Sequence, residues 1–222
     1  MFSEEVVLEA KRKRIHYVGL IIPVLYYFVF TRTELLVFTG LALGAFLIID
    51  YTRIYNKNKY ISYFFERESY NTSIRLKSLD GKREIQRDVS IPTFKPLLRS
   101  EERHTLGGQT YFALGAFISI LLFPKNIAIA AIAVLVIGDS AAAMIGMTFG
   151  RHRIYGKKTL EGFLGCLAVS TLICVILLTP IVAIAGGIVG ALSELVTFRL
   201  NDNLTIPIAT GAAMTVVNHL PL

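Results

Sequence analysis

Between Asn126 and Met147 runs a stretch of 22 residues whose only charged member is Asp139. At about 1.5 Å per residue, a helix of that length crosses the roughly 30 Å hydrocarbon core of a bilayer. A carboxylate at such depth costs about 2.5–3.5 kcal/mol on insertion scales, which makes Asp139 a candidate functional residue. The competing reading of this residue alone is a proton-carrying or helix-to-helix hydrogen-bonded aspartate with a structural role.

The remainder of the chain has the same character. With 54% of its 222 residues hydrophobic, it has too little polar surface to cover an ordinary soluble core. Seven apolar segments can be marked: 15–30, 34–51, 109–123, 126–147, 160–179, 181–198 and 204–218. Several are short for a span of about 20 residues and require tilt or snorkelling ends. The expected fold class is therefore all-α, a polytopic transmembrane helical bundle of about seven spans. It forms a single integral membrane domain over residues 1–222, with 52–108 as an inserted loop. The first segment follows basic residues, as a signal peptide would, but Thr31, Arg32 and Thr33 offer no small-residue cleavage site, so it is read as a retained span. Cys166 and Cys174 stand eight residues apart on one expected helix, about 12 Å at the helical rise, too far to bridge. No cysteine spacing suggests zinc or a redox pair.

Charge gives the orientation. Alternate connections hold 21 of the 23 Lys and Arg residues, leaving Arg32 and Lys125 on the other side, so the N-terminus and the basic loops are expected to be cytoplasmic. The formal charge of +7 is then a one-sided field, suited to anionic lipid headgroups or to an anionic substrate such as a nucleotide. Within the long loop, Ser73 to Leu79 alternates, Asp80-Gly81 is a favoured two-residue turn, and Lys82 to Gln86 returns, which predicts a short β-hairpin. Pro92 and Pro96 end regular structure before a short helix from Leu97 to His104. Tyr60, Ile61, Tyr63, Phe64 and Phe65 read as an interfacial anchor. No internal repeat and no inverted pair of broken helices is evident, which weighs against the common transporter plans.

On a helix Asp139, Ala142, Ala143 and Gly146 share a face, so the carboxylate overlooks a strip almost without side-chain bulk. Such a strip admits either a ligand or another helix backbone. Counted from Thr148, Asp139 lies roughly 14 Å deep and is reachable from the basic side. The segment from Phe149 to Gly162 carries Arg151, Arg153, Gly156, Lys157, Lys158, Thr159 and Glu161. Glycines that let backbone N–H groups approach an anion, cations that neutralise it and a subsequent helix N-terminus together suit phosphate. This is not a Walker A loop, because five residues separate Gly150 from Gly156 and Lys157 is followed by Lys158. Glu194 and Asp202 approach the same face as Asp139 and Glu161, a geometry that can hold Mg²⁺ between carboxylates and phosphates. Arg12 and Lys13 flank the first span on that side, with His16 one turn further.

These residues fall into four blocks: Arg12-Lys13-Arg14-Ile15-His16; Gly138-Asp139-Ser140-Ala141-Ala142 with Gly146 and Phe149-Gly150; Gly156 to Gly162; and Glu194 with Asp202-Asn203-Leu204-Thr205-Ile206-Pro207. Together they resemble the CTP-dependent membrane lipid kinases, comprising dolichol (polyprenol) kinase, phytol kinase and the fungal-type diacylglycerol kinase. The resemblance runs from Arg12 to Pro207 and makes the whole chain one membrane kinase domain. It implies transfer of the γ-phosphoryl group of CTP to the hydroxyl of a membrane alcohol, dolichol or another polyprenol first, with Mg²⁺ or another divalent cation. It further implies that Arg12, Lys13, Asp139 and Gly146 are needed for activity. Within that frame Arg151, Lys157 and Lys158 are assigned to the triphosphate, with Gly146, Gly156, Thr159 and Glu161 completing the nucleotide site. Asp139 and Asp202 are assigned to the metal, and Glu194 or Asp139 to the alcohol proton. The implied partners are the lipid alcohol, CTP and the bilayer, with no nucleic acid and with homo-oligomerisation open. The chain departs from the eukaryotic dolichol kinases in its shorter length and its hairpin insert, which leaves phytol, geranylgeraniol or a diacylglycerol as other acceptors. A cytidylyltransferase forming a CDP-alcohol is the alternative enzyme, and a cation-coupled transporter the alternative of another class.

Overall fold

The computed structural model describes residues 13, 16–55, 74–77, 84–87, 105–156, 158–196 and 201–221. Two compact units divide the chain: Met1–Leu47 with Gly108–Leu222, and Ile48–Gly107.

The first unit is helical. A 3₁₀ turn at Tyr17–Leu20 leads into α1 (Ile21–Phe28), followed by the first part of α2 (Arg32–Tyr55). After these come α3 (Gly108–Leu122), α4 (Lys125–Ala133), a π-turn at Val134–Gly138 and α5 (Asp139–Phe149). The unit closes with α6 (Leu160–Leu177), α7 (Pro180–Leu195) and α8 (Asp202–Asn218). Among the described residues, three helices are long and apolar enough to cross a membrane: Arg32–Tyr55, Lys125–Phe149 and Leu160–Leu177. Tyr17–Phe28, Gly108–Leu122 and Pro180–Leu195 are apolar but shorter. The expected helical character is thus present, while only three of the seven expected segments have full spanning length.

The helix that carries Asp139 is the centre of this unit. The most apolar window of Lys125–Phe149 is 78% buried, against 17% for Arg32–Tyr55 and 22% for Leu160–Leu177. Small residues set how closely its neighbours approach. A Cβ on Gly162 would stand 2.7 Å from the Ala142 carbonyl oxygen, and one on Gly138 2.4 Å from Ser170 Oγ, so α5 and α6 pack backbone to backbone. Pro207, inside α8, has no N–H to donate to the Asn203 carbonyl one turn back. That carbonyl faces Gly115 of α3, where any side chain would collide with it at 2.5 Å. Asn203 Nδ2 also donates to the Gly108 carbonyl at 3.0 Å, a side-chain bond from the start of α8 to the start of α3.

The two cations that stood apart in the charge count have local partners. Arg32 Nε donates to the Ile120 carbonyl at 3.0 Å, and its guanidinium also binds the Leu121 carbonyl, capping the last turn of α3. Lys125 lies over the Tyr26 ring, 5.3 Å from its centroid. Lys125 opens α4, fourteen residues before Asp139, or about 21 Å along the helix.

In the second unit, β1 (Ile74–Lys77) pairs antiparallel with β2 (Glu84–Arg87). The register, Ile74 with Arg87 through Lys77 with Glu84, is centred between positions 80 and 81, as the expected turn requires. The Asp80-Gly81 turn itself, the aromatic cluster at 60–65 and the expected helix from Leu97 to His104 lie outside the described residues. At the end of α2, Asp50 accepts from the Gly107 N–H at 2.7 Å and from Arg53 at 2.7 Å, and Arg53 also donates to the Thr105 carbonyl.

Candidate active site

The π-turn positions the site. A π-turn holds one residue more than an α-helical turn, which rotates the next helical segment about its axis, and such insertions recur at functional sites. Here it precedes Asp139, which opens α5 and is 6% exposed. Lys13, 126 positions earlier in the chain, donates its ammonium to Asp139 Oδ2. Nε2 of His16 lies 3.9 Å from the same oxygen and is buried without a hydrogen-bond partner. The His16 ring meets Phe112 of α3 edge-on, with centroids 5.6 Å apart.

A second ion pair stands beside the first. Lys158 donates to Oε1 of Glu194, a carboxylate in the last turn of α7 that is 3% exposed. Lys158 is close enough to Asp139 and Asp202 for their charges to act on it. Burial alone would push its ammonium down, but Glu194 outweighs that, by charge and by hydrogen bond, and the two aspartates add to it. The net effect holds Lys158 above the ordinary lysine range, so it is a cation at neutral pH. The site is therefore an alternation of charges, the buried Lys13 and Asp139, the half-buried Lys158 and the buried Glu194, with Asp202 within electrostatic reach.

Lys158 owes its place to a hairpin. Strands β3 (Arg153–Tyr155) and β4 (Lys158–Thr159) pair antiparallel, Tyr155 opposite Lys158, with a bulge toward Arg153. Gly156 takes φ +55° in the two-residue turn, a conformation glycine adopts without steric cost. Thr159 then caps α6, its Oγ1 accepting from the Gly162 N–H at 3.2 Å.

Of the residues singled out in the sequence, Asp139, Glu194, Lys13 and Lys158 come together here, with Asp202 near them. Gly146 and the small-residue strip face the first turn of α6, where a Cβ on Gly146 would stand 3.0 Å from Thr159 Oγ1; this is a helix-packing contact. Glu161 is turned outward, its carboxylate accepting from the His152 N–H at 3.3 Å and meeting His152 Nδ1 at 2.7 Å. Arg151 is exposed on the same loop. Arg12 and Lys157 lie outside the described residues. Sequence reasoning did not foresee the π-turn, nor Cys166 and Ser170, which sit behind Asp139 with Sγ and Oγ 3.7 Å apart. Their spacing of four on one helix face was the available signal.

Residues 88–216 match the model of the family described as the cytidylyltransferase family. The chain belongs to this family. The matched stretch contains Asp139, Lys158, Glu194 and Asp202, while Lys13 and His16 precede it. An uncharacterized protein of Rickettsia prowazekii is 29% identical over 99% of this chain and 100% of its own. CTP-dependent diacylglycerol kinase 1 of Schizosaccharomyces pombe is 24% identical over 55% of this chain and 65% of its own, and the phytol kinase of Synechocystis is 33% identical over 52% and 56%. The chain thus spans between about half and two thirds of the length of these two named enzymes. Their names and the family match bear out the resemblance to CTP-dependent membrane lipid kinases. No solved structure matches the chain.

Proposed function

We propose that the protein is a CTP-dependent kinase that phosphorylates the hydroxyl of a membrane polyprenol such as dolichol. The observation that carries this reading is the pairing of two buried carboxylates with lysines, Asp139 with the buried Lys13 and Glu194 with the half-buried Lys158, inside a membrane-type helical bundle. Phosphoryl transfer asks mainly for positioning and charge neutralisation. Lys13 and Lys158, joined by Arg12, Arg151 and Lys157, neutralise the triphosphate. The alcohol oxygen bonds to the γ-phosphorus while the bond to the β–γ bridging oxygen breaks. CDP leaves with that electron pair, and the alcohol proton passes to the carboxylate of Glu194 or of Asp139.

Among the described residues no three His, Cys, Asp or Glu side chains converge as a ready metal cage. Mg²⁺ ordinarily takes one or two carboxylates and completes its shell with water and phosphate oxygens, and the hard oxygens of Asp139 and Asp202 fit that pattern. Mg²⁺ bound there would neutralise the β- and γ-phosphates.

Purified protein in lipid, given γ-labelled CTP and a panel of polyprenol, phytol, geranylgeraniol and diacylglycerol, is expected to label the polyprenol and release CDP. Labelling of diacylglycerol or phytol alone would reassign the acceptor. The family description favours a second reading, cytidylyl transfer giving a CDP-lipid and pyrophosphate. Label reaching the lipid from α-labelled CTP and not from γ-labelled CTP would decide for it, and a transporter would label nothing.

A further inference from the structure

Resting on the kinase reading, we propose that His16 is a positioning residue: it holds the π-turn that precedes Asp139 and so keeps that carboxylate aimed at Lys13. One extra residue in a turn rotates everything after it by about 100° about the helix axis, because 3.6 residues make a full turn. Ile127 to Val136 are all buried, so the helix before the turn cannot rotate to compensate. Without the π-turn at Val134–Gly138, Asp139 would leave the face on which Lys13 meets it.

A π-turn has a cost that a side chain can offset. Passing from i+5 hydrogen bonds back to i+4 skips one backbone carbonyl, and a buried carbonyl needs a donor. His16 hydrogen-bonds to the backbone of Leu135, a buried residue inside the turn. Nε2 has no partner, so the bond falls to Nδ1, whose N–H donates to the carbonyl. Ser140 Oγ donates to the next carbonyl, that of Val136, at 2.6 Å. Lys13 and His16 stand one helical turn apart in sequence, and so do the residues they hold, Asp139 and Leu135, so the segment grips the helix at two matching points. Phe112 of α3 fixes the segment from outside. Its ring meets His16 edge-on, and a Cβ on Gly19 would stand 2.5 Å from its Cζ.

The test compares His16→Ala, His16→Asn and His16→Gln with the parent protein, because an asparagine amide reaches the Nδ1 position and a glutamine amide the Nε2 position. His16→Ala and His16→Gln are expected to lower kcat for lipid labelling about tenfold, the worth of one lost hydrogen bond, with the KM values for CTP and for the lipid alcohol within about twofold of the parent. His16→Asn should recover most of the rate. The aim of position 139 can also be read without turnover. In the double variant Lys13→Cys with Asp139→Cys, a short bifunctional thiol reagent should join the two positions; adding His16→Ala should slow the joining several-fold, and adding His16→Asn should not. Unchanged kcat in His16→Ala, equal rates in the asparagine and glutamine variants, a rise in KM alone, or crosslinking indifferent to position 16 would each overturn the role. If the parent protein transfers no phosphoryl group, the kinase reading fails by itself, and the crosslinking still decides whether His16 aims position 139.

Discussion

A carboxylate buried to 3% exposure, as Glu194 is, persists as an ion only with a partner, and Lys158 is that partner. Removing one member of a buried pair leaves the other uncompensated, at a cost of about 3–5 kcal/mol, whereas removing both can be near neutral. Lys158 keeps 36% of its side-chain surface, so water offsets part of the loss. Lys158→Met is thus expected to lower the unfolding temperature in detergent more than the double variant Lys158→Met with Glu194→Gln does. A double variant less stable than Lys158→Met would show that the pair is not the coupled unit described. For Asp139 the contrast is chemical: Asp139→Asn keeps the shape and most hydrogen bonding but loses the charge that faces Lys13. Lipid labelling from γ-labelled CTP should fall to background with expression and membrane insertion intact, and retained turnover would remove Asp139 from the mechanism. These residue types were visible in the sequence because a charge inside an apolar run is costly. Their pairing was not, because Lys13 and Asp139 lie 126 positions apart and only the packing of helices brings them together.

At the scale of elements, the helices arise from the apolar runs, and Pro180 at the first position of α7 marks a boundary that the sequence showed directly. Two elements did not show themselves in this way. The π-turn at Val134–Gly138 lies in an unbroken apolar run, where one extra residue in a turn changes no pattern that periodicity can detect. The β3–β4 hairpin reads in the sequence as a glycine-lysine cradle because strands of three and two residues are too short to alternate visibly. How closely α5 and α6 approach is set by glycines, and Gly138 gives the sharpest test. Its hypothetical Cβ meets Ser170 Oγ at 2.4 Å, so Gly138→Ala must push the helices apart or displace that hydroxyl. Overpacking of this kind costs about 1–3 kcal/mol. Adding Ser170→Ala removes the colliding oxygen and should recover much of the lost thermal stability. No recovery would mean that the hydroxyl is not what limits the approach.

For the whole molecule, the helix contacts within the first unit impose a direction on every segment. Arg32 meets the end of α3, and Lys125 meets Tyr26, near the end of α1, while Lys13, Lys158 and Glu194 gather at Asp139. The charge count alone separates Arg32 and Lys125 from the other 21 cations. Within the first unit the packing keeps Arg32 and Lys125 away from the charges at Asp139, the same separation that the charge count makes. Cysteine labelling can test the threading because the native Cys166 and Cys174 are buried and offer little background. Arg153→Cys, on the exposed β3 strand, and Asn126→Cys, exposed beside Lys125, should react with an impermeant thiol reagent from opposite faces of sealed vesicles. With the N-terminus cytoplasmic, position 153 reacts from the cytoplasmic side. If both positions react from one side, the segment from Asn126 to Met147 does not cross the membrane and Asp139 is not at bilayer depth.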